Sequence, residues 1–244
     1  MKIIFDVGCN QGQNFDYFSK KSDLIIGIEA NTDLFLEMNC KFKSLIEDNK
    51  LILINSLISN DEKPNNFYKN KKNSVLSTIV PPKNLDNWEI VELKSEKLSS
   101  IIKTYLKIYN VDNIEYIKID VERYDFNILC DIFKNNIFPK FLSVECHDFR
   151  VPLYIYYLKQ YQSFKFLSGG AVKTLKDLSC LSKKGDQFLY SFIAHSSGPY
   201  GDDIPGGYYN RDSIIPYFIE NGLGWKDIHC CLEIKDYEKD ILIK

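Results

Sequence analysis

Lys2-Ile3-Ile4-Phe5-Asp6-Val7-Gly8-Cys9-Asn10-Gln11-Gly12 opens the chain, and Leu24-Ile25-Ile26-Gly27-Ile28-Glu29-Ala30-Asn31 follows it closely. The first stretch reads as a short buried strand that runs into a tight glycine turn, with a helical run from about Gln13 to Ser19 behind it. The second reads as a strand that ends in an acid. Strand, glycine turn, helix, strand, acid is the layout of a nucleotide-binding βαβ unit. Glycines let the backbone approach a ligand closely, and a carboxylate at the tip of the second strand can accept hydrogen bonds from both ribose hydroxyls. Glu29 lies 21 residues after Gly8, near the expected spacing of about 20.

The turn bears on which nucleotide is held. A dinucleotide fingerprint is GxGxxG, with pyrophosphate at the helix N-terminus. This chain has Gly8-x-Asn10-x-Gly12, and Asp6 opens the turn. An acid at the mouth is expected to repel a pyrophosphate and to suit the cationic methionine end of S-adenosylmethionine. DxGxNxG therefore favours a methyl donor over NAD. The bland alternative is an empty structural turn, against which the Glu29 spacing weighs.

Outward from this unit, short apolar strands alternate with helices. Thr32–Ile46 reads as a helix capped by Asn31 or Thr32, Leu51–Ser56 as a strand, Leu98–Tyr109 as a helix and Ile114–Ile119 as a strand. Tyr124–Asn135 is a further helix, Phe141–Val144 a strand, Pro152–Gln162 an aromatic-rich helix, and Phe164–Leu167 and Phe188–Ala194 the last strands. Such alternation implies an α/β fold with a parallel sheet covered on both faces. Residues around 60–95 form the least regular part, a lysine-rich connection with strands expected at Ser74–Val80 and Trp88–Leu93. No linker divides residues 1–244, which read as a single domain. Between His195 and Gly207, four glycines and two prolines exclude regular structure. The segment around 195–211 is expected to be an ordered flap over a site, with a disordered surface loop as the alternative.

Composition limits the partners. The hydrophobic fraction of 45% is ordinary for a globular protein, and a net charge of −2 carries no nucleic-acid footprint. No apolar run approaches the roughly 20 residues of a membrane span, and the N-terminus enters a strand directly, which argues against a signal peptide. Seven cysteines in no zinc-like spacing predict reduced thiols and a cytoplasmic location. Aromatics in the Tyr154–Tyr161 helix could serve core packing or a homodimer face. Among 31 basic residues only Arg123, Arg150 and Arg211 are arginines. Arginine is required where a planar fork grips a carboxylate or phosphate at two points.

Ligands of an open parallel sheet sit beyond the carboxyl ends of its strands. Those ends offer Asp6 and Asn10, then Glu29, then Ser56 and Ser59, then Asp120 and Glu122, then Glu145, His147 and Asp148. Methyl transfer from a sulfonium is an in-line displacement in which positioning contributes roughly 7–11 kcal/mol. A neutral hydroxyl acceptor also needs a base, and His147 is the first candidate because an unperturbed imidazole titrates near 6.5. Asp120 and Glu122 are rivals or orienting groups, and His195 is a second choice. A structural histidine, and acids favoured at a helix start, are the plainer readings. Carboxylate pairs could take Mg²⁺, but no spacing demands a metal.

Asp6-Val7-Gly8-Cys9-Asn10-Gln11-Gly12, Glu29-Ala30-Asn31 and Tyr116-Ile117-Lys118-Ile119-Asp120-Val121-Glu122 resemble the FkbM-type family of S-adenosylmethionine-dependent methyltransferases over about residues 3–145. The resemblance implies a Rossmann-like class I methyltransferase fold, a seven-stranded, mostly parallel sheet with helices on both faces and an antiparallel last strand. It also implies that Asp6, Gly8, Asn10 and Gly12 line the methionine half of S-adenosylmethionine, that Glu29 holds the ribose, and that Asp120 sits beside the transferred methyl; Ala30, Asn31, Ser56 and Ser59, at the neighbouring strand ends, are expected to bind the donor with them. Members typically methylate hydroxyls of sugars or other small metabolites. The family usually has Gly after D-V-E, where this chain has Arg123. With Arg150 and Arg211, and with His195 at the flap, Arg123 is expected to bind an anionic small-molecule or sugar-linked acceptor bearing phosphate, phosphoramidate or carboxylate. Capsule or surface-glycan biosynthesis is the expected setting. An NAD-dependent oxidoreductase and a non-catalytic S-adenosylmethionine-binding domain remain the alternatives.

Overall fold

A computed structural model describes residues 1–237. Residues 238–244, the end of the single domain expected over 1–244, lie outside the described residues. β1 (Ile3–Val7) leads through the glycine turn to α1 (Phe15–Lys21), β2 (Leu24–Glu29), α2 (Thr32–Lys41), α3 (Lys43–Glu47) and β3 (Leu51–Asn55). Asn31 caps α2 by accepting the Asp33 N–H. The helix expected over Thr32–Ile46 is broken at Phe42, whose ring packs edge-on against Phe15. Next come β4 (Leu57–Ile58), β5 (Pro64–Asn70), β6 (Trp88–Glu96) and α4 (Leu98–Tyr109), which ends at Asn110 in the left-handed conformation.

The second half runs β7 (Tyr116–Ile119), α5 (Asp125–Lys134), β8 (Phe141–Glu145), α6 (Arg150–Tyr157), β9 (Ser163–Ser168), α7 (Gly169–Val172), β10 (Leu178–Leu181), β11 (Gln187–Tyr190), α8 (Ile214–Asn221) and β12 (Lys226–Cys231). Seven of these strands form one sheet in the order β3-β2-β1-β7-β8-β12-β9. All neighbours are parallel except at β12, which is antiparallel to both β8 and β9. This is the Rossmann-like class I methyltransferase architecture, with the last strand of the described residues as the antiparallel one. That strand is Lys226–Cys231 and not Phe188–Ala194. Gln187–Tyr190 pairs instead with Leu178–Leu181 in a separate hairpin.

The period-two alternation of strands sorts the core into two layers. Ile3, Phe5, Val7, Ile117, Ile119, Leu142 and Val144 face one cluster under α4, α5, α6 and α8. Ile4, Ile25, Tyr116 and Phe141 face the other, under α1 and α2. The glycine-rich segment completes this second layer. Tyr200 is buried and stacks on Tyr116 with ring centroids 4.1 Å apart, and Asp203 accepts from the Tyr17 hydroxyl at 2.6 Å. Around 60–95 the chain is more ordered than its polar composition suggests: β5 and β6 pair along seven positions as an antiparallel ribbon. Ser74–Leu76, expected in a strand, is a single 3₁₀ turn. All seven cysteines are free thiols, and among the described residues no helix is long and apolar enough to cross a membrane.

Candidate functional site

The carboxyl ends of β1, β2, β7 and β8 open into a cavity of about 350 Å³, within the range of small-ligand sites. Gly8, the first glycine of the turn, has φ +76°. A Cβ there would stand 1.9 Å from the Asp120 carbonyl oxygen, so only glycine lets β1's turn lie against the end of β7. The turn crosses to β2, where Gly8 and Cys9 N–H groups both donate to the Ile28 carbonyl. Glu29 then fastens the turn from the far side. Its two oxygens accept the backbone N–H groups of Asn10 and Asn31, each at 2.8 Å. Burial nonetheless pushes Glu29 up to about 7, against those two hydrogen bonds.

The expected donor-binding set divides. Gly8, Asn10, Glu29, Ala30, Ser56 and Asp120 line the cavity. Asp6, Gly12, Asn31 and Ser59 do not. Gly12 (φ +69°) is required by packing, since a Cβ would meet the Phe15 and Phe42 rings at 2.6 Å. Asn31 is spent on the α2 cap, and the Ser59 hydroxyl bonds Asp61 and Ser95. Asp6 corrects the sequence reading most. It is fully buried and sits behind the cavity wall, 3.3 Å from the Lys118 ammonium. Parallel register explains this: Asp6 and Lys118 are directly paired residues of β1 and β7 and point to the same face. An acid at the mouth, expected from D-x-G, is therefore a countered charge in the wall.

Lys118 is the residue that sequence reasoning passed over. It also lies 3.2 Å from Asp120 and donates to the Gly8 carbonyl at 3.3 Å. Burial pulls its ammonium down, but Asp120, Asp6 and Asp227 together outweigh that and hold it well above the ordinary lysine value. Both members of the pair are raised, for different reasons. Full enclosure, with Asp120 as a like-charged neighbour, raises Asp6 despite Lys118. The lysine keeps its proton because three carboxylates share it. A charged residue in the centre of a four-residue buried strand was the available signal.

The other end of the cavity holds Glu122, Glu145 and His147. His147 Nε2 lies 2.9 Å from Glu145 and 3.4 Å from Glu122. The Glu122 and then the Glu145 carboxylate hold the imidazole up at about 11, against burial. His147 was expected as a base because an ordinary imidazole is half neutral near pH 6.5; between two carboxylates it keeps its proton at neutral pH instead. Burial and the nearby Asp120 push Glu145 up as well, so the cluster is proton-rich. Glu122 and Arg123 both have positive φ, +55° and +76°. Thr78 from the 60–95 segment donates its hydroxyl to the Glu122 carbonyl at 2.5 Å and holds this turn. Left-handed backbone costs a non-glycine residue roughly 1–2 kcal/mol, and Arg123 occupies the position where the resembling family usually has glycine.

The expected convergence of three arginines is not found. Arg123 and Arg150 line an open groove that adjoins the cavity and shares His147 with it. Arg150 pairs with Asp148 and lies over the Phe126 ring. Arg211 lies elsewhere. Its guanidinium donates to the carbonyls of Ile155, Tyr156, Leu158 and Tyr161, closing the C-terminal end of α6. His195 does line the cavity, with its ring stacked over Trp225, a second lining residue that sequence reasoning missed. Of the glycine-rich segment, His195 lines this cavity and Ser196 and Ser197 a smaller adjoining one. Of the remainder, Tyr200, Gly201, Asp203 and Ile204 are buried, while Asp202, Pro205 and Gly206 are exposed.

No known protein family and no curated protein matches the chain by sequence. Among solved structures, a methyltransferase FkbM from Methylobacillus flagellatus aligns with a TM-score of 0.44 and 12% identity. That alignment covers 68% of this chain and 40% of the other.

Proposed function

We propose that the protein is an S-adenosylmethionine-dependent O-methyltransferase acting on a small or sugar-linked acceptor. The observation that carries this reading is the layout of the cavity along the strand ends. Leu57, Ile58 and Phe67 supply an apolar end suited to adenine, Glu29 a carboxylate suited to ribose hydroxyls, and Gly8 an open backbone cradle beside Asp120. Asp120, Glu122 and Glu145 continue the wall, with Lys118 and His147 set among them as the opposing charges. When bound, S-adenosylmethionine would supply a methyl group on a cationic sulfur. The chain's own residues would fix the donor and exclude water, and would bring the acceptor in along the groove.

The acceptor reading rests on Arg123, and on Arg150, which Asp148 on the same groove already pairs, with His147 at the junction. They favour an anionic acceptor, and a low-pKa acceptor oxygen needs no neutral imidazole. The capsule or surface-glycan setting is carried by the sequence resemblance alone. Calorimetric titration with S-adenosylhomocysteine tests the donor site. Micromolar binding, weakened at least tenfold (about 1.4 kcal/mol) by Glu29→Ala, is expected. Binding of NADH with none of S-adenosylhomocysteine would overturn the proposal. Arg123→Ala and Arg150→Ala should each raise the acceptor KM; two unchanged values would remove the anionic-acceptor reading and leave the donor site standing.

A further inference from the structure

We propose that Glu122, Glu145 and His147 form a site for one divalent cation of the manganese class at the junction of cavity and groove. Three ligand atoms, two carboxylate oxygens and one imidazole nitrogen, all lie within 4.8 Å of one another. Ligands about 2.1 Å from an octahedral ion stand about 3.0 Å apart when adjacent and about 4.2 Å apart when opposite. The separations of 2.9 and 3.4 Å from His147 Nε2 match adjacent positions.

A second observation distinguishes this cluster from an ordinary ion pair. Glu145 is 4% exposed, and its Oε2 lies 2.9 Å from His147 Nε2. Yet neither atom has a hydrogen-bond partner. The ring nitrogen is not aimed at the oxygen beside it. Buried polar atoms are rarely left in that condition, and a cation bound between them would resolve it. The backbone holds the ligands in place. Glu145 and His147 are two residues apart at the end of β8, and the left-handed Glu122 is fixed through its carbonyl by Thr78. The nearest lysine, Lys118, is engaged by Asp6 and Asp120.

The ligand chemistry selects the ion. Carboxylates suit Mg²⁺, Ca²⁺ and Mn²⁺, and imidazole suits the transition metals. Two oxygens and one nitrogen favour Mn²⁺ over Mg²⁺, which keeps to oxygen ligands and its own waters; binding displaces the proton that His147 otherwise keeps between the two carboxylates. Three protein ligands leave coordination positions facing the cavity, where water or an acceptor oxygen completes the shell. That last role rests on the methyl-transfer reading; the site itself does not.

The test is titration of the full-length protein with MnCl₂, following loss of the free-ion signal by electron paramagnetic resonance. One site per chain is expected. His147→Ala and Glu122→Gln should each weaken it at least tenfold, while thermal melting shows that both variants are folded. Glu122 is half-buried, so its amide variant is the safer of the two. An undiminished free-ion signal at millimolar Mn²⁺, or wild-type affinity in both folded variants, would overturn the site. S-adenosylhomocysteine binding is measured separately on the same protein. If it is present without Mn²⁺ binding, only the metal site falls. If Mn²⁺ binds and S-adenosylhomocysteine does not, the methyltransferase reading falls and the metal site stands.

Discussion

Replacing Lys118 by Met should be the most damaging single change in the cavity wall. Methionine keeps most of the stem's volume and removes the charge. The ammonium lies 3.3 Å from Asp6 and 3.2 Å from Asp120. At an effective dielectric near 20, one such contact is worth about 5 kcal/mol of Coulomb energy, much of it offset by the cost of burying both partners. Removal of one partner does not recover that burial cost. It leaves Asp6, which is 0% exposed, as an uncompensated buried acid, and such losses run to about 3–5 kcal/mol. For a chain of this size that is a fall in Tm of about 6–20 °C. Because Asp6 can escape by taking up a proton, the loss should be larger at pH 8 than at pH 5. Asp6→Asn in the Lys118→Met background should return part of it, which gives a double-mutant cycle with a clear sign. Urea denaturation of the four proteins at both pH values measures all of this. A loss below about 1 kcal/mol at pH 8, or an Asp6→Asn change that deepens the loss, would refute the reasoning.

Gly8→Ala should cost at least about 2 kcal/mol, combining the left-handed backbone with a Cβ placed 1.9 Å from the Asp120 carbonyl, and should abolish S-adenosylhomocysteine binding; a melting temperature within 2 °C of wild type, allowing about 2–4 °C per kcal/mol, would show that the cradle is not as tight as described. Arg123→Gly relieves φ +76° and should stabilise the fold by up to about 1 kcal/mol while raising the acceptor KM; a less stable variant would mean that the arginine side chain does more for the fold than its exposed position indicates. Stability of chelator-treated protein should fall by at least about 3 kcal/mol between pH 6.5 and 8. Glu29 and Asp125, both raised to about 7, and His147, raised to about 11, keep protons in the native state that the unfolded chain has released, so stability drops as pH rises. His229, lowered to about 3, acts in the opposite sense, but only below about pH 6.5. Equal or greater stability at pH 8 would contradict these assignments.

The sheet was legible where both faces are buried, because a strand then reads as a largely apolar run with few polar interruptions. Ile3–Val7, Leu24–Glu29 and Tyr116–Ile119 are of that kind. The last strand was not. Lys226-Asp227-Ile228-His229-Cys230-Cys231 carries three ionisable polar residues in six positions and resembles a loop. Asp227 pairs in register with Glu145 at the site, and His229 is enclosed between neighbouring strands. Its polarity reflects where it sits in the sheet, which only tertiary pairing reveals. Pro64-Asn65-Asn66-Phe67-Tyr68-Lys69-Asn70 was hidden for a related reason: it is an outer ribbon strand, free to be polar on its exposed face. The glycine-rich segment misled in the other direction. Its composition marks irregular backbone correctly but gives no hint that Tyr200 and Asp203 lie in the sheet's own core layer.

Site residues divide along the same line. Gly8, Glu29 and Asp120 could be placed from sequence because the ends of parallel strands converge by topology. Asp6 and Lys118 could not, since their meeting depends on the β1–β7 register, and a shift of one residue would put them on opposite faces. That register also changes the argument for which nucleotide the cavity suits. With Asp6 countered by Lys118, the opening acid of the turn no longer discriminates between a sulfonium and a pyrophosphate. Asp120, Glu122 and Glu145 line the cavity itself, but Lys118 and the proton-bearing His147 line it with them. A pyrophosphate placed about 6 Å from one of the ionised acids would meet a repulsion of roughly 3 kcal/mol per pair of unit charges at an effective dielectric near 20. Each of the two cations would return an attraction of similar size. The charges of the wall therefore nearly cancel, and the choice of ligand passes from the sign of the wall to its shape: the Gly8 cradle and the Glu29 carboxylate.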